Sequence, residues 1–152
     1  MLNIIAGGLD NPQVIALLKH HFDTNISVTP KGSAHVFDIL RLKQPDVRFW
    51  SVWENQQLLG TGALKQINAG DGEVKSMHTL QGVRRRGVGS ALLKQILVEA
   101  RSAGLKRLYL ETGSFDYFAP ARALYCKHGF RECEAFSGYK PDANSTFMML
   151  EL

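Results

Sequence analysis

The chain has 152 residues, 45% hydrophobic and 21% charged, and its eighteen Lys and Arg against fourteen Asp and Glu leave a formal charge of +4. That is the size and mix of one soluble globular domain able to bury a core without staples, and it excludes a disordered chain. No apolar run reaches the ~18–20 residues of a membrane helix, and a charge this small names no partner unless it is clustered. The residues from Met1 to Gly7 lack the basic region of a signal peptide. The two cysteines, Cys126 and Cys133, have no C-x-x-C spacing. They read as free, partly buried thiols in the cytoplasm rather than as a disulfide or a metal site.

The elements follow in chain order. Leu2–Ala6 is a short apolar first strand. Asn11 caps a helix with Pro12 at its first position, and Val14, Leu17, Leu18, His21 and Phe22 form its apolar stripe. Ser33 caps a second helix over Ala34–Lys43, ended by Pro45. Val47–Glu54 and Gln57–Ile67 form a hairpin turning at Asn55-Gln56. After the turn at residues 69–72 comes a strand over Glu73–Leu80. Val88, Leu92, Ile96 and Ala100, flanked by Leu93 and Leu97, mark an amphipathic helix over Gly87–Ala103, stopped by Gly104. Lys106–Glu111 is a strand, Pro120 opens a short helix through His128, and two closing strands lie around Phe130–Ser137 and Thr146–Leu150. The order predicts an α/β (α+β) domain of about seven strands and four helices. Its sheet is mostly antiparallel, with one strand–helix–strand crossover.

The densest chemical signal is Gln81-Gly82-Val83-Arg84-Arg85-Arg86-Gly87-Val88-Gly89-Ser90, which follows a strand and opens a helix. Glycines at 87 and 89 allow close backbone approach. The amides they expose, together with the positive end of the helix, suit a phosphate, and three arginines add charge-assisted donors. Alone, the segment leaves open the alternative of a turn with a solvated basic run. The strand before it carries Glu73, Lys75, Met77 and Thr79 on one face and Val74, Ser76, His78 and Leu80 on the other. That is too polar for the middle of a packed sheet and fits a water-accessible cleft. On the last helix, Tyr125 shares an apolar face with Ala121, where a tyrosine is ordinarily a core residue.

Two motifs in order carry a resemblance. Arg84-Arg85-Arg86-Gly87-Val88-Gly89 resembles the pyrophosphate loop of the GNAT superfamily of acyl-CoA N-acyltransferases. Ala121-x-x-Leu124-Tyr125-x-x-x-Gly129-Phe130 resembles its second conserved segment. Glu73-Val74-Lys75-Ser76-Met77, Glu111-Thr112-Gly113-Ser114, Pro120-Ala121-Arg122 and Asn144-Ser145-x-Phe147-Met148 are similar to a bacterial branch of small acetyltransferases.

The resemblance implies a single GNAT-like domain over residues 1–152 that uses acetyl-CoA, without a metal, to acetylate the amine of a small molecule by direct attack on the thioester. It places the pantetheine arm between the strands Glu73–Leu80 and Lys106–Glu111, along Met77, His78, Thr79 and Leu80. It places the pyrophosphate on Arg84, Arg85, Arg86, Gly87, Val88, Gly89 and Ser90. Tyr125 is implied as the proton donor to the leaving thiolate, in contact with the cofactor, and Glu73 as the base, with Glu111 and His78 as alternates. A backbone N–H near His78 or Thr79 would polarise the carbonyl, and Arg122 is a candidate for binding a substrate carboxylate. Phe118 stands where many members carry an Asn, so the resemblance supplies no Asn contact to pantetheine. Neither nucleic acid nor membrane is expected as a partner, and a homodimer is compatible with the family. Two other readings remain open: a CoA-binding regulatory or sensor module without catalysis, and a basic nucleic-acid binder using Arg84–Arg86, which would show steep salt dependence.

Overall fold

The computed structural model describes residues 2–28 (24–28 by backbone only), 39–80 and 87–152. The expected Ser33 cap, the first half of the second helix, and Arg84, Arg85 and Arg86 lie outside the described residues. The elements are β1 (Asn3–Ala6), α1 (Pro12–Val28), α2 (Ile39–Leu42), β2 (Val47–Glu54), β3 (Gln57–Gln66), β4 (Asp71–Thr79), α3 (Val88–Ser102), β5 (Arg107–Gly113), a 3-10 turn (Asp116–Phe118), α4 (Ala119–Lys127), β6 (Arg131–Cys133) and β7 (Ser145–Glu151). The strands form one seven-stranded sheet in the order β1-β2-β3-β4-β5-β7-β6. Every neighbouring pair is antiparallel except β4 and β5, which the α3 crossover makes parallel.

Local signals account for the element ends. The Asn11 carboxamide oxygen accepts the Gln13 amide at 2.8 Å, capping α1. Asn55 and Gln56 both take positive φ, 50° and 67°, as a two-residue hairpin turn requires. Gly104, at φ 78°, ends α3: its amide bonds the Arg101 carbonyl while the Leu105 amide bonds that of Ala100.

Each face of the sheet has its own core. Val14, Leu17 and Leu18 of α1 pack with Leu42, Phe49, Leu58 and Ala63 on one face. The whole stripe of α3 packs on the other face, against β2–β5 and β7, together with Tyr125 and Phe130. Leu92, Leu93, Ile96 and Ala100 are fully buried, and each large side chain so placed contributes roughly 1.5–3 kcal/mol.

Two expectations need correction. The strand expected over Phe130–Ser137 is only Arg131–Cys133, because the chain then leaves the sheet through a turn at Ser137 and Gly138, both at positive φ. Cys126, expected to be partly buried, is exposed, while Cys133 is half-buried; both are free.

Candidate active site

β4 and β5 pair over only three positions, Asp71 with Arg107, Gly72 with Leu108 and Glu73 with Tyr109. Both strands run on, β4 to Thr79 and β5 to Gly113, so a V opens between them beyond Glu73. The Leu80 amide bonds the Leu59 carbonyl of β3 at 2.8 Å. By the alternation of a strand, the peptide groups of Thr79 therefore turn to the open side.

The N-terminus of α3 follows this strand. Gly87 caps it in the left-handed conformation, φ 79° and ψ 11°. The first intrahelical bond runs from the Ala91 amide to the Gly87 carbonyl, so the amides of Val88, Gly89 and Ser90 have no acceptor within the helix. This is an anion-binding geometry. The Val88 side chain is buried in the core, so only its backbone is available. Gly89 has a separate reason to lack a side chain: a Cβ there would lie 2.9 Å from Leu124 of α4. The two helices are also joined by a 3.2 Å contact between His128 Nε2 and Ser90 Oγ. Burial, and then the charges of Lys127 and Lys94, hold the His128 ring below its usual value.

Tyr125 is buried in the core shared by α3 and α4, edge-on to Phe130 at a centroid distance of 5.7 Å. Burial pushes its phenol well above the usual value, so it carries its proton at any physiological pH.

The other face holds a second group, and a bulge decides its membership. His78 pairs with Thr61 and Lys75 with Ala63, so Ser76 and Met77 together oppose Gly62. Ser76 takes φ 54°, and its carbonyl accepts the Thr61 hydroxyl at 2.8 Å. The extra residue reverses the alternation, which corrects the expected faces of this strand. Val74 and Met77 both pack into the α3 core, whereas His78 faces α1 and stacks on His21 at 4.2 Å and 17°. Leu80 packs with the α1 core. Burial, with the charge of His21 adding to it, pushes the His78 imidazole down to about 3. His21, from the apolar stripe of α1, is thus a neighbour of the cleft strand.

Glu73 lies on the same side as His78 and is only 5% exposed, so it is a buried carboxylate. Its Oε2 accepts the Tyr139 hydroxyl at 2.7 Å and faces the Lys75 ammonium at 3.5 Å. Tyr139 comes from the segment between β6 and β7. Burial, the charge of Glu73 and the bond to it push the Tyr139 phenol upward; Glu111 adds and Arg41 opposes. Phe136 stacks on Tyr109 at 4.8 Å and meets Tyr139 and Phe147 edge-on.

Arg122 does not point its hydrogen bonds at an open pocket. Its Nη1 donates to the Gly113 carbonyl at 2.7 Å and to the Phe115 carbonyl at 3.0 Å, tying the end of β5 to α4. Phe118 packs against Gly113, where a Cβ would fall 2.1 Å from the ring. Of the expected residues, Met77–Leu80 lie along and just past the end of β4, Gly87–Ser90 open α3, and Tyr125 lies in the core on the α3 side of the sheet. The structure sets Glu73 on the opposite face of the sheet from Tyr125. The pairing of Tyr139 with Glu73 bridges two segments far apart in the chain, and no local pattern announced it.

Comparisons agree with this architecture. The model of the acetyltransferase (GNAT) family matches residues 12–130. The chain is 43% identical over 152 residues to the uncharacterized N-acetyltransferase YedL of Escherichia coli (strain K12), covering 100% of this chain and 96% of that protein. It is 40% identical over 151 residues to the uncharacterized N-acetyltransferase YsnE of Bacillus subtilis (strain 168), covering 99% and 100%. Among solved structures, the PaiA N-acetyltransferase of Thermoplasma acidophilum in complex with coenzyme A shares the fold. Its TM-score is 0.77 at 14% identity, over 100% of this chain and 99% of that one. With an open β4–β5 edge leading to a glycine-capped helix, and with this likeness along its full length, the chain belongs to the acetyltransferase (GNAT) family.

Proposed function

We propose that the protein transfers an acetyl group from acetyl-CoA to the primary amine of a small molecule, by direct attack of the amine on the thioester. The observation that carries this reading is the parting of β4 from β5 after Glu73, with Tyr125 in the core on one face of the sheet and Glu73 on the other. The gap joins the two faces, so a thioester entering along β4 and an amine entering from the α1 side can meet within it. A neighbour solved with coenzyme A and sharing the fold supports the choice of donor.

Each residue then has a task. The open peptide groups of Thr79 pair with the extended amide arm of the donor as an added strand would, and a backbone N–H there polarises the carbonyl. The amides of Val88, Gly89 and Ser90 hold the pyrophosphate, with Arg84, Arg85 and Arg86 of the same sequence run adding charge. Glu73 takes a proton from the incoming ammonium. The amine nitrogen forms the amide bond, the carbon–sulfur bond breaks, and the Tyr125 hydroxyl protonates the leaving sulfur. Tyr125 regains its proton from the nitrogen through solvent.

Isothermal titration with acetyl-CoA, followed by thiol release across alkyl, aryl-alkyl, amino-acid and polyamine acceptors, tests the reading. Saturable binding with thiol release on at least one amine is expected. Absence of binding at millimolar ligand overturns it, and binding without thiol release on any amine replaces it with a CoA-binding module.

A further inference from the structure

The segment between β6 and β7 reaches across the sheet to one atom of Glu73. Three observations explain how it is held there. The turn at Ser137 and Gly138 is closed by the Tyr139 amide bonding the Phe136 carbonyl at 2.9 Å. Phe136 stacks on Tyr109, and Tyr109 is the residue aligned with Glu73 across the β4–β5 pairing. Tyr139 packs on Phe136 and on Phe147 at 5.1 and 5.7 Å. The aromatic group thus sets the segment over Glu73 and fixes where the Tyr139 hydroxyl falls. That hydroxyl donates to Oε2 at 2.7 Å, and the Lys75 ammonium lies 3.5 Å from the same oxygen. Neither donor lies on Oε1.

We infer that Tyr139 is a positioning residue for Glu73: with Lys75 it holds Oε2, fixes the plane of the carboxylate, and leaves Oε1 as the atom that receives the acceptor's proton. The inference rests on the proposed role of Glu73 as base. A carboxylate among partly buried aromatic rings has little water to orient it, so a bond from a neutral hydroxyl locks its rotamer without cancelling its charge. The charged and titratable groups facing it are Lys65 across β3, Lys75 on β4, and Tyr109 and Glu111 on β5. The charge of Arg41 of α2 acts on Tyr139 against that of Glu73. The proton passes from the acceptor ammonium to Oε1 and then to water, which leaves a neutral amine to attack and Glu73 as it began.

The test compares Tyr139→Phe and Glu73→Gln, both of which keep the size of the side chain, using the best acceptor from the thiol-release panel. A second, weakly basic amine such as methoxyamine, which is neutral at pH 7 and needs no base, is run beside it. Tyr139→Phe is expected to lower kcat on the strongly basic acceptor by roughly 10-fold. KM, acetyl-CoA affinity and turnover of the weakly basic amine should change less than about two-fold. Phe136→Leu, which loosens the segment but keeps the hydroxyl, should move kcat in the same direction by less. If Tyr139→Phe lowers turnover of both amines equally, or raises KM with kcat intact, the positioning role is overturned while the base reading stands. If Glu73→Gln retains full turnover on the strongly basic acceptor, or if no amine is turned over, the reading beneath it falls instead.

Discussion

Removing the Arg122 guanidinium separates two roles that the sequence alone leaves joined. Arg122→Met keeps most of the aliphatic stem and loses the bonds from Nη1 to the carbonyls of Gly113 and Phe115 at 2.7 and 3.0 Å. A hydrogen bond from a charged donor contributes about 1.5–3 kcal/mol when removed. Here one nitrogen serves both acceptors and the pair is only partly buried, so the loss should be that of about one such bond, ~2 kcal/mol. For a domain of this length each kcal/mol moves the thermal midpoint by about 2–4 °C, so circular dichroism should record a fall of about 4–8 °C. Assayed well below that midpoint, the variant should keep its acceptor KM, because the guanidinium ties backbone rather than ligand. An unchanged midpoint with an acceptor KM raised about ten-fold would refute the reasoning and return Arg122 to the role of a substrate-binding residue.

Two further outcomes are expected. Tyr125→Phe should lower kcat by roughly 10²–10⁴-fold with acetyl-CoA affinity unchanged in titration calorimetry, since only the hydroxyl is lost; undiminished turnover would remove Tyr125 from proton transfer. His78 is held neutral in the folded protein, with its value lowered from 6.5 to about 3, so the unfolded chain takes up its proton first as pH falls. Its contribution to stability is complete above about pH 6.5 and is lost progressively from there toward about pH 3. Thermal midpoints between pH 6.5 and 5, above most carboxylate titration, should decline in the wild type and decline less in His78→Phe, which keeps a ring against His21. A flat wild-type profile in that window counts against the burial argument.

Much of the fold was legible because apolar periodicity and turn chemistry agreed at each step. Every residue of the α3 stripe is buried, Asn11 caps α1, and the element order is the one that the alternation of patterns implies. The parallel pairing of β4 with β5 followed from the helix between them. What failed was what depends on partners distant in the chain. Strand alternation put Met77 with Glu73 and Lys75, because no residue type signals that Ser76 will adopt positive φ. The three-residue β6 was overextended because no turn residue interrupts the run from Arg131 to Phe136, whereas the packing of Phe136 on Tyr109 is a contact distant in the chain. The bonds of Arg122 to the Gly113 and Phe115 carbonyls were not legible, because backbone acceptors leave no trace in a side-chain pattern. The pairing of Tyr139 with Glu73 was not legible at all, since 66 positions separate the two.

The extra residue in β4 makes the strand two half-strands of opposite phase. Ahead of it, odd-numbered positions face the α1 side; past it, even-numbered ones do. Deleting Ser76 would set Met77 alone opposite Gly62 and leave both faces as they are, whereas the same nine residues paired without the bulge would invert the phase of everything after Lys75. The His78 imidazole would then enter the hydrocarbon core beneath α3, and the Met77 thioether would take its place against His21. The left-handed backbone of one serine therefore decides which chemistry each face of this strand carries.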